Sequence, residues 1–419
     1  MRRVHYAWIV AAVGFVTLIT AAGFRSTSSV LIVPLQHEFG WSRATISLSI
    51  SINLILYGLG GPFAAALVER FGVRRVVIGA LVGVSAGSSL TVFMSAPWQL
   101  DLLWGVVNGL ATGAVSVPLA AIIANRWFVA RRGLVTGLFA AANATGNLVF
   151  LPALASIIAH WGWRYAAVTV SVVAFAVVLP LVALLLRDRP ADVGIEPFGA
   201  LEPEPPHVRN GNPFRGAVAG LRETWRVPSF QLLAGSFFIC GLSTNGLIGT
   251  HLIPAAMDHG LGEVAAASLL ATIGVFDIVG TTCSGWLTDR HDPRLLLAWY
   301  YGLRGLSLLA LPYAFGSPHF GLILFVVFYG LDWIATVPPT VALTAEIFGR
   351  DRVGVVFGWI FCAHMFGAAF AAWGAGAIRT WFGGYGWAFG TAGLLCLFAT
   401  SLVLQIRRRP ALEPALASL

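Results

Sequence analysis

Lysine is absent from this chain of 419 residues, and all 26 basic side chains are arginine. A phosphate-cradling loop of the G-x-x-x-x-G-K-[ST] type is therefore impossible, which excludes ATP-driven pumping by the chain itself. Charge of either sign is scarce, at 11% of residues against roughly a quarter in a soluble protein. Most of the surface is thus not built for water. Cysteine is sparse too. Cys240, Cys283, Cys362 and Cys396 lie in apolar stretches, at spacings that suit neither a metal site nor a disulfide framework, and read as small buried hydrophobes. No His/Asp or Ser/His constellation converges at catalytic spacing, so no catalytic residue, metal or cofactor is expected.

What the chain has is apolar length. Runs of about 20 residues, enough to cross a bilayer, recur at 6–35, 43–68, 73–95, 98–126, 131–160, 163–186, 228–257, 263–287, 294–315, 319–346, 353–380 and 385–406. In lipid each must be a helix, because an isolated strand leaves its backbone unsatisfied. The first run is too long for a signal-peptide core and reads as a retained membrane helix. The expected fold is an all-α membrane protein of twelve transmembrane helices in two pseudo-symmetric six-helix bundles, 1–187 and 227–419. Residues 188–226 form a linker whose stretch GAVAGLRETWRV suits a short surface helix.

The net charge of +8 does not point to nucleic acid, because the arginines sit in short loops between apolar runs. With both ends inside, 21 arginines fall in inner segments, and only Arg25, Arg43, Arg164, Arg304 and Arg379 in outer loops or the membrane interior. That bias predicts a multi-pass protein of the cell inner membrane with both termini cytoplasmic. Its expected partners are the bilayer, a small-molecule substrate and protons; the expected state is a monomer.

The chain repeats itself. ALVERFGVRR follows the second run and GWLTDRHDPR the eighth, placing Glu69/Arg70 and Asp289/Arg290 220 residues apart. Within one residue, the same shift carries Pro118 to Pro339, Arg132 to Arg352 and Gly137 to Gly358. Repeated halves around a central site are a common transporter plan.

On these residues the chain resembles the major facilitator superfamily. Gly285-Trp286-Leu287-Thr288-Asp289-Arg290 is similar to its cytoplasmic G-x-L-(A/T)-D-R signature, and the first copy is degenerate, with Ala65 and Glu69 replacing Gly and Asp. The resemblance implies alternating access, with Glu69, Arg70, Asp289 and Arg290 gating the inner side. Arg126, Arg132, Glu346 and Arg352, at inner helix ends, are candidate gate partners or loop anchors. PLQHEFGWSRATIS, RGLVTGLFAAANATG and RPADVGIEPFG give a closer look of bacterial monocarboxylate and oxalate/formate-type porters. In those porters an aspartate at the place of Asp277 is followed four residues later by a substrate-binding arginine; Thr281 stands there instead. A central cation must then come from Arg304 or Arg25.

Ionisable groups within a membrane are costly, and each is a candidate site. Asp277, Arg304 and Asp332 fall at similar mid-membrane depth, either as a structural lock or as a proton-coupling network that responds when Arg304 meets an anion. His251 and Asp258 share a helix face near the outer end of the seventh run, as an outer gate, a proton entry or a solvated helix end. Asn108, Asn143, Asn147, Asn245 and Trp333 could line the cavity, or could serve helix packing. Pro338 and Pro339 predict a kink in the tenth run. The function expected is secondary active transport of a small organic anion such as a monocarboxylate, coupled to protons. The competing expectation is a carrier of a cationic or amphipathic compound, and a membrane enzyme is the remote one.

Overall fold

The computed structural model describes residues 5–115, 117–200, 213–316, 318–349 and 352–407. Among the described residues, twelve long helical segments follow one another. They are α1 (Tyr6–Phe39), α2 (Arg43–Phe71), α3 (Val73–Thr91), α4 (97–127), α5 (Arg132–Trp161), α6 (Trp163–Leu185), α7 (Pro228–Asp258), α8 (Glu263–Thr288), α9 (Pro293–Ala314), α10 (Phe320–Phe348), α11 (Val353–Phe382) and α12 (Gly386–Leu404). Among the described residues, ten helices are long and apolar enough to cross a membrane. Tight turns separate them: Gly40 and Gly383 take left-handed φ of 69° and 74°, a conformation that glycine adopts without strain. The linker stretch read as a surface helix is one, Pro213–Thr224.

One face of the bundle carries both described chain ends. There the Tyr6 hydroxyl donates to the Leu185 carbonyl at 2.8 Å, and the Arg74 backbone donates to Asp188 at 2.8 Å. Arg294 reaches the Ile406 carbonyl at 3.1 Å on the same face. The linker helix lies there as well, with Trp359 donating to the Ala217 carbonyl at 2.9 Å. We call this the terminal face. The opposite, distal face carries the turns after α1, α3, α5, α7 and α11.

Close helix approach depends on glycine, as lipid-embedded packing requires. A Cβ on Gly60 of α2 would sit 2.6 Å from the Gly113 backbone of α4, and one on Gly280 of α8 would sit 1.8 Å from the Leu331 carbonyl of α10. The two contacts are 220 residues apart at their first member and join equivalent helix pairs, so the repeat read in the sequence has a counterpart in packing. α2 and α11 run together along much of their length: Ser51 donates to the Ala369 carbonyl at 2.7 Å, and Gly58 faces Met365. α5 packs on α8, and α1 on α7.

α4 and α10 are both broken, also in register with the repeat. α4 loses helical form at Val115, just before Pro118, and α10 unwinds between Asp332 and Val337, just before Pro338 and Pro339. Proline offers no N–H, so backbone carbonyls one turn earlier are released. The Ala335 carbonyl, which Pro339 cannot bond, instead accepts from Ser284 Oγ of α8 at 2.6 Å.

Candidate functional site

Three polar assemblies interrupt the apolar bundle. The first builds on the broken α10. Arg304, fully enclosed on α9, donates through Nε to Asp332 Oδ2 at 2.7 Å and through a terminal nitrogen to Cys240 Sγ of α7 at 3.0 Å. Its other terminal nitrogen takes the carbonyls of Asp332 and Trp333 that the unwinding releases. Asp277 on α8 does not join Arg304 directly. Its Oδ1 accepts from the freed Ile334 N–H at 2.9 Å and from Thr281 Oγ at 2.8 Å. Arg304 and Asp277 thus cap opposite polarities of one unwound turn. The Arg304 guanidinium is consumed by this work and is not offered to a central ligand, which removes one of the two cations available for a substrate anion. Thr281, standing where the resembling porters have arginine, is bonded to Asp277.

The second assembly lies between α1, α2 and α11. Arg25, half-buried on α1, donates to the Tyr57 hydroxyl of α2 at 2.5 Å, and its guanidinium lies 5.0 Å from the centre of that ring. The Tyr57 ring meets Phe361 of α11 edge-on at 6.0 Å, and Phe361 stacks on His364 at 5.8 Å. His364 approaches Asn245 of α7 at 3.4 Å, while its buried Nδ1 has no protein partner. Trp333, partly exposed, borders the same region beside Gly249. Asn245 is thus linked to Tyr57 through His364 and Phe361, and Trp333 lies beside Gly249, one turn along α7 from Asn245. Asn108 stands apart: it is completely buried against Gly87 of α3, inside the first repeat. Arg132, Asn143 and Asn147 belong to α5, and their side chains lie outside the described residues.

The third assembly lies at the distal face. Arg43, at the start of α2, grips both carboxylate oxygens of Asp258 at the end of α7, at 2.7 and 2.8 Å. Arg379 of α11 takes the same carboxylate at 2.7 Å. Arg43 also reaches the Tyr385 hydroxyl at 3.0 Å, and Tyr385 lies 3.1 Å from His251 Nδ1. The other His251 nitrogen bonds the Ala372 carbonyl at 2.7 Å, so the ring bridges α11 and the turn before α12. Burial pushes the Tyr385 hydroxyl up to about 12, so it remains a neutral hydroxyl at working pH. Two-pronged arginine–carboxylate geometry of this kind is both strong and directional. A nearby second clasp joins Glu38 of α1 to Trp163 and Arg164 of α6.

Arg43, Arg379 and Tyr385 were not among the residues picked out as sites from the sequence. The signal that could have found the arginines was their place among the five that break the inner-loop bias.

On the terminal face, Glu69, Arg70, Asp289 and Arg290 are all exposed. Arg70 lies over the Phe71 ring, and Arg290 stacks over Trp286 at 4.2 Å while donating to its carbonyl. Arg352 pairs with Glu223 of the linker helix at 3.0 Å. Arg126 and Glu346 stand at the terminal ends of α4 and α10, each engaged in contacts of its own.

The family model described as Major Facilitator Superfamily matches residues 13–337 and 233–418. The chain belongs to the major facilitator superfamily. It is a multi-pass membrane transporter of small molecules and not an enzyme. It is 26% identical to an uncharacterized MFS-type transporter, YcxA, of Bacillus subtilis over 88% of this chain and 87% of that protein. It is also 26% identical to monocarboxylate transporter 13 of Bos taurus over 96% of this chain and 89% of that one. Among solved structures, a D-xylose-proton symporter superposes with a TM-score of 0.76 at 15% identity, covering 96% of this chain and 98% of that one. A bacterial homologue of the human lysosomal transporter Spinster gives 0.73 at 17% identity, covering 97% and 99%. At such identities the likeness is one of fold, and the fold is that of the superfamily.

Proposed function

We propose that the transporter carries a small organic anion of the monocarboxylate type, coupled to protons, by alternating access. The observation that carries this reading is Arg25. It is a half-buried guanidinium on α1, held by Tyr57 against an aromatic pair of α11, where the two repeats meet. A cation kept within a membrane span, here in the outer half of the first, is costly without an anionic partner during the cycle. The extended likeness to monocarboxylate transporters supports the same class of cargo. In this reading Asn245 and His364 supply hydrogen bonds from α7 and α11, and Trp333 shapes the cavity. Asp277 and Asp332 are the acids that exchange protons as α10 re-forms its unwound turn. The Arg43–Asp258–Arg379 clasp is the gate on the distal face.

The division into bundles 1–187 and 227–419, joined by the linker, follows from the repeat. The arginine distribution supports a reading in which the terminal face, with the signature residues, is on the cytoplasmic side of an inner membrane. Glu69, Arg70, Asp289, Arg290, Arg126, Arg132, Glu346 and Arg352 then form the inner gate.

The second reading, a cationic or amphipathic cargo, draws on Asp332, whose Oδ1 is buried without a protein partner. Uptake of labelled monocarboxylates, dicarboxylates and organic cations into proteoliposomes separates the two. Saturable accumulation of a monocarboxylate alone supports the first; accumulation of cations alone replaces it with the second.

A further inference from the structure

A groove on the bundle lies away from the interface between the repeats. It opens between α9 and α10 on the outer flank of the bundle, with a volume of about 640 Å³, in the size range of small-molecule sites. Leu303, Phe320, Leu324 and Phe328 form its rim, and all are exposed. In a membrane-spanning bundle such a rim faces acyl chains, so whatever enters comes from the bilayer. At its floor lie Asp332 and the enclosed Arg304. Ser307 on the α9 wall, Tyr300, Tyr313 and Tyr329 also line the groove, and the Tyr329 hydroxyl is already bonded to the Ser243 carbonyl.

We infer that this groove is a bilayer-entered binding site for a neutral single-chain amphiphile whose hydroxyl donates to Asp332. Three observations select the head group. Asp332 is more than nine-tenths buried, and its Oδ1 lacks a protein partner while Oδ2 is held by Arg304. An unmet buried acceptor is costly and is relieved by a donor. The Arg304–Asp332 pair is already balanced in charge, so an ammonium head would add a net charge at mid-bilayer, at a cost a hydroxyl avoids. A carboxylate head would bring a second anion against Asp332, and Arg304 is already bonded to Asp332, Cys240 and the unwound backbone. A neutral donor on an apolar chain satisfies the floor and the walls together. Because the floor is also the brace of the unwound turn of α10, occupancy bears on that turn.

The test uses the whole transporter in lipid nanodiscs and a long-chain primary alcohol carrying a diazirine in its tail. Photolabelled peptides are mapped by mass spectrometry. Saturable labelling within residues 300–332 is expected, competed by the unlabelled alcohol but not by the alkane or the fatty acid of equal length. Ser307→Phe and Leu324→Trp fill the groove from opposite walls and should each abolish that labelling while the protein elutes as a single species. Labelling that is non-saturable, equally competed by the alkane, or retained in a folded filling variant overturns the inference. The readout is independent of transport, so it stands or falls apart from the reading of the cargo.

Discussion

Arg43 and Asp258, 215 residues apart, meet through two hydrogen bonds and join the start of α2 to the end of α7 on the distal face. Arg379 binds the same carboxylate from α11, so one acid gathers three helices. As the proposed distal gate, this clasp opens when the distal side admits solute. Asp258→Asn removes the charge that holds both arginines. Arg43 is buried while Asp258 lies at the exposed end of α7, and a charged hydrogen bond is worth about 1.5–3 kcal/mol. The variant should therefore shift the population toward distal-open. Spin-label distances between α2 and α7 at the distal ends, measured by pulsed EPR, should lengthen in Asp258→Asn; an unchanged distribution would remove the clasp from the gate.

Arg304 and Asp332 predict the opposite kind of phenotype, one of stability. Arg304 is enclosed and bonded on all sides, so Asp332→Leu leaves a buried guanidinium without its counter-charge. Breaking a buried pair this way costs about 3–5 kcal/mol. The paired change Arg304→Met with Asp332→Leu should recover a large part of the loss in thermal unfolding of the detergent-solubilised protein. Recovery fails if Arg304 matters only through the freed carbonyls of α10.

Asp277 predicts a split between coupling and exchange. Its carboxylate takes the Ile334 N–H and the Thr281 hydroxyl, and an asparagine can keep the acceptor oxygen for both. Asp277→Asn should retain substrate counterflow while losing accumulation driven by a pH gradient. Full pH-driven accumulation in this variant would sink its coupling role.

The linker helix predicts little from its ion pair and more from its packing. Arg352 and Glu223 are both well exposed, and a pair of that kind is worth about 0–1 kcal/mol, so Glu223→Gln should leave stability unchanged within that range. A Cβ on Gly220, by contrast, would fall 2.6 Å from the Val355 side chain of α11. Gly220→Leu should lift the helix from the bundle, seen as faster proteolytic cleavage in the linker.

Much of this architecture was legible in the sequence, because bilayer thickness and backbone satisfaction leave few choices for apolar runs of this length. The repeat, the linker helix and the proline-marked break in α10 were legible for the same reason: each is a local pattern. Partnerships across long separations were not. The Arg43–Asp258 and Arg304–Cys240 contacts depend on how helices rotate about their axes, which no single segment encodes. Yet the five arginines that break the inner-loop bias each have a described partner: Arg25 with Tyr57, Arg43 and Arg379 with Asp258, Arg164 with Glu38, Arg304 with Asp332. A cation placed against the topological rule was the legible trace of a contact. Which arginine would remain for a ligand was not legible, since the choice between Arg25 and Arg304 rests on the carbonyls released by α10.

Arg25 is proposed to bind an organic anion whose movement is driven by protons. This role is tested most directly by uptake of a labelled monocarboxylate into proteoliposomes under an inward proton gradient, comparing the unaltered protein, Arg25→Lys and Arg25→Gln. The unaltered protein should accumulate substrate above equilibrium, and the gradient should collapse with a protonophore. Arg25→Lys should be weakened and Arg25→Gln should lack saturable uptake, since a charged hydrogen bond is worth about 1.5–3 kcal/mol. Undiminished, gradient-driven uptake by Arg25→Gln would contradict that role.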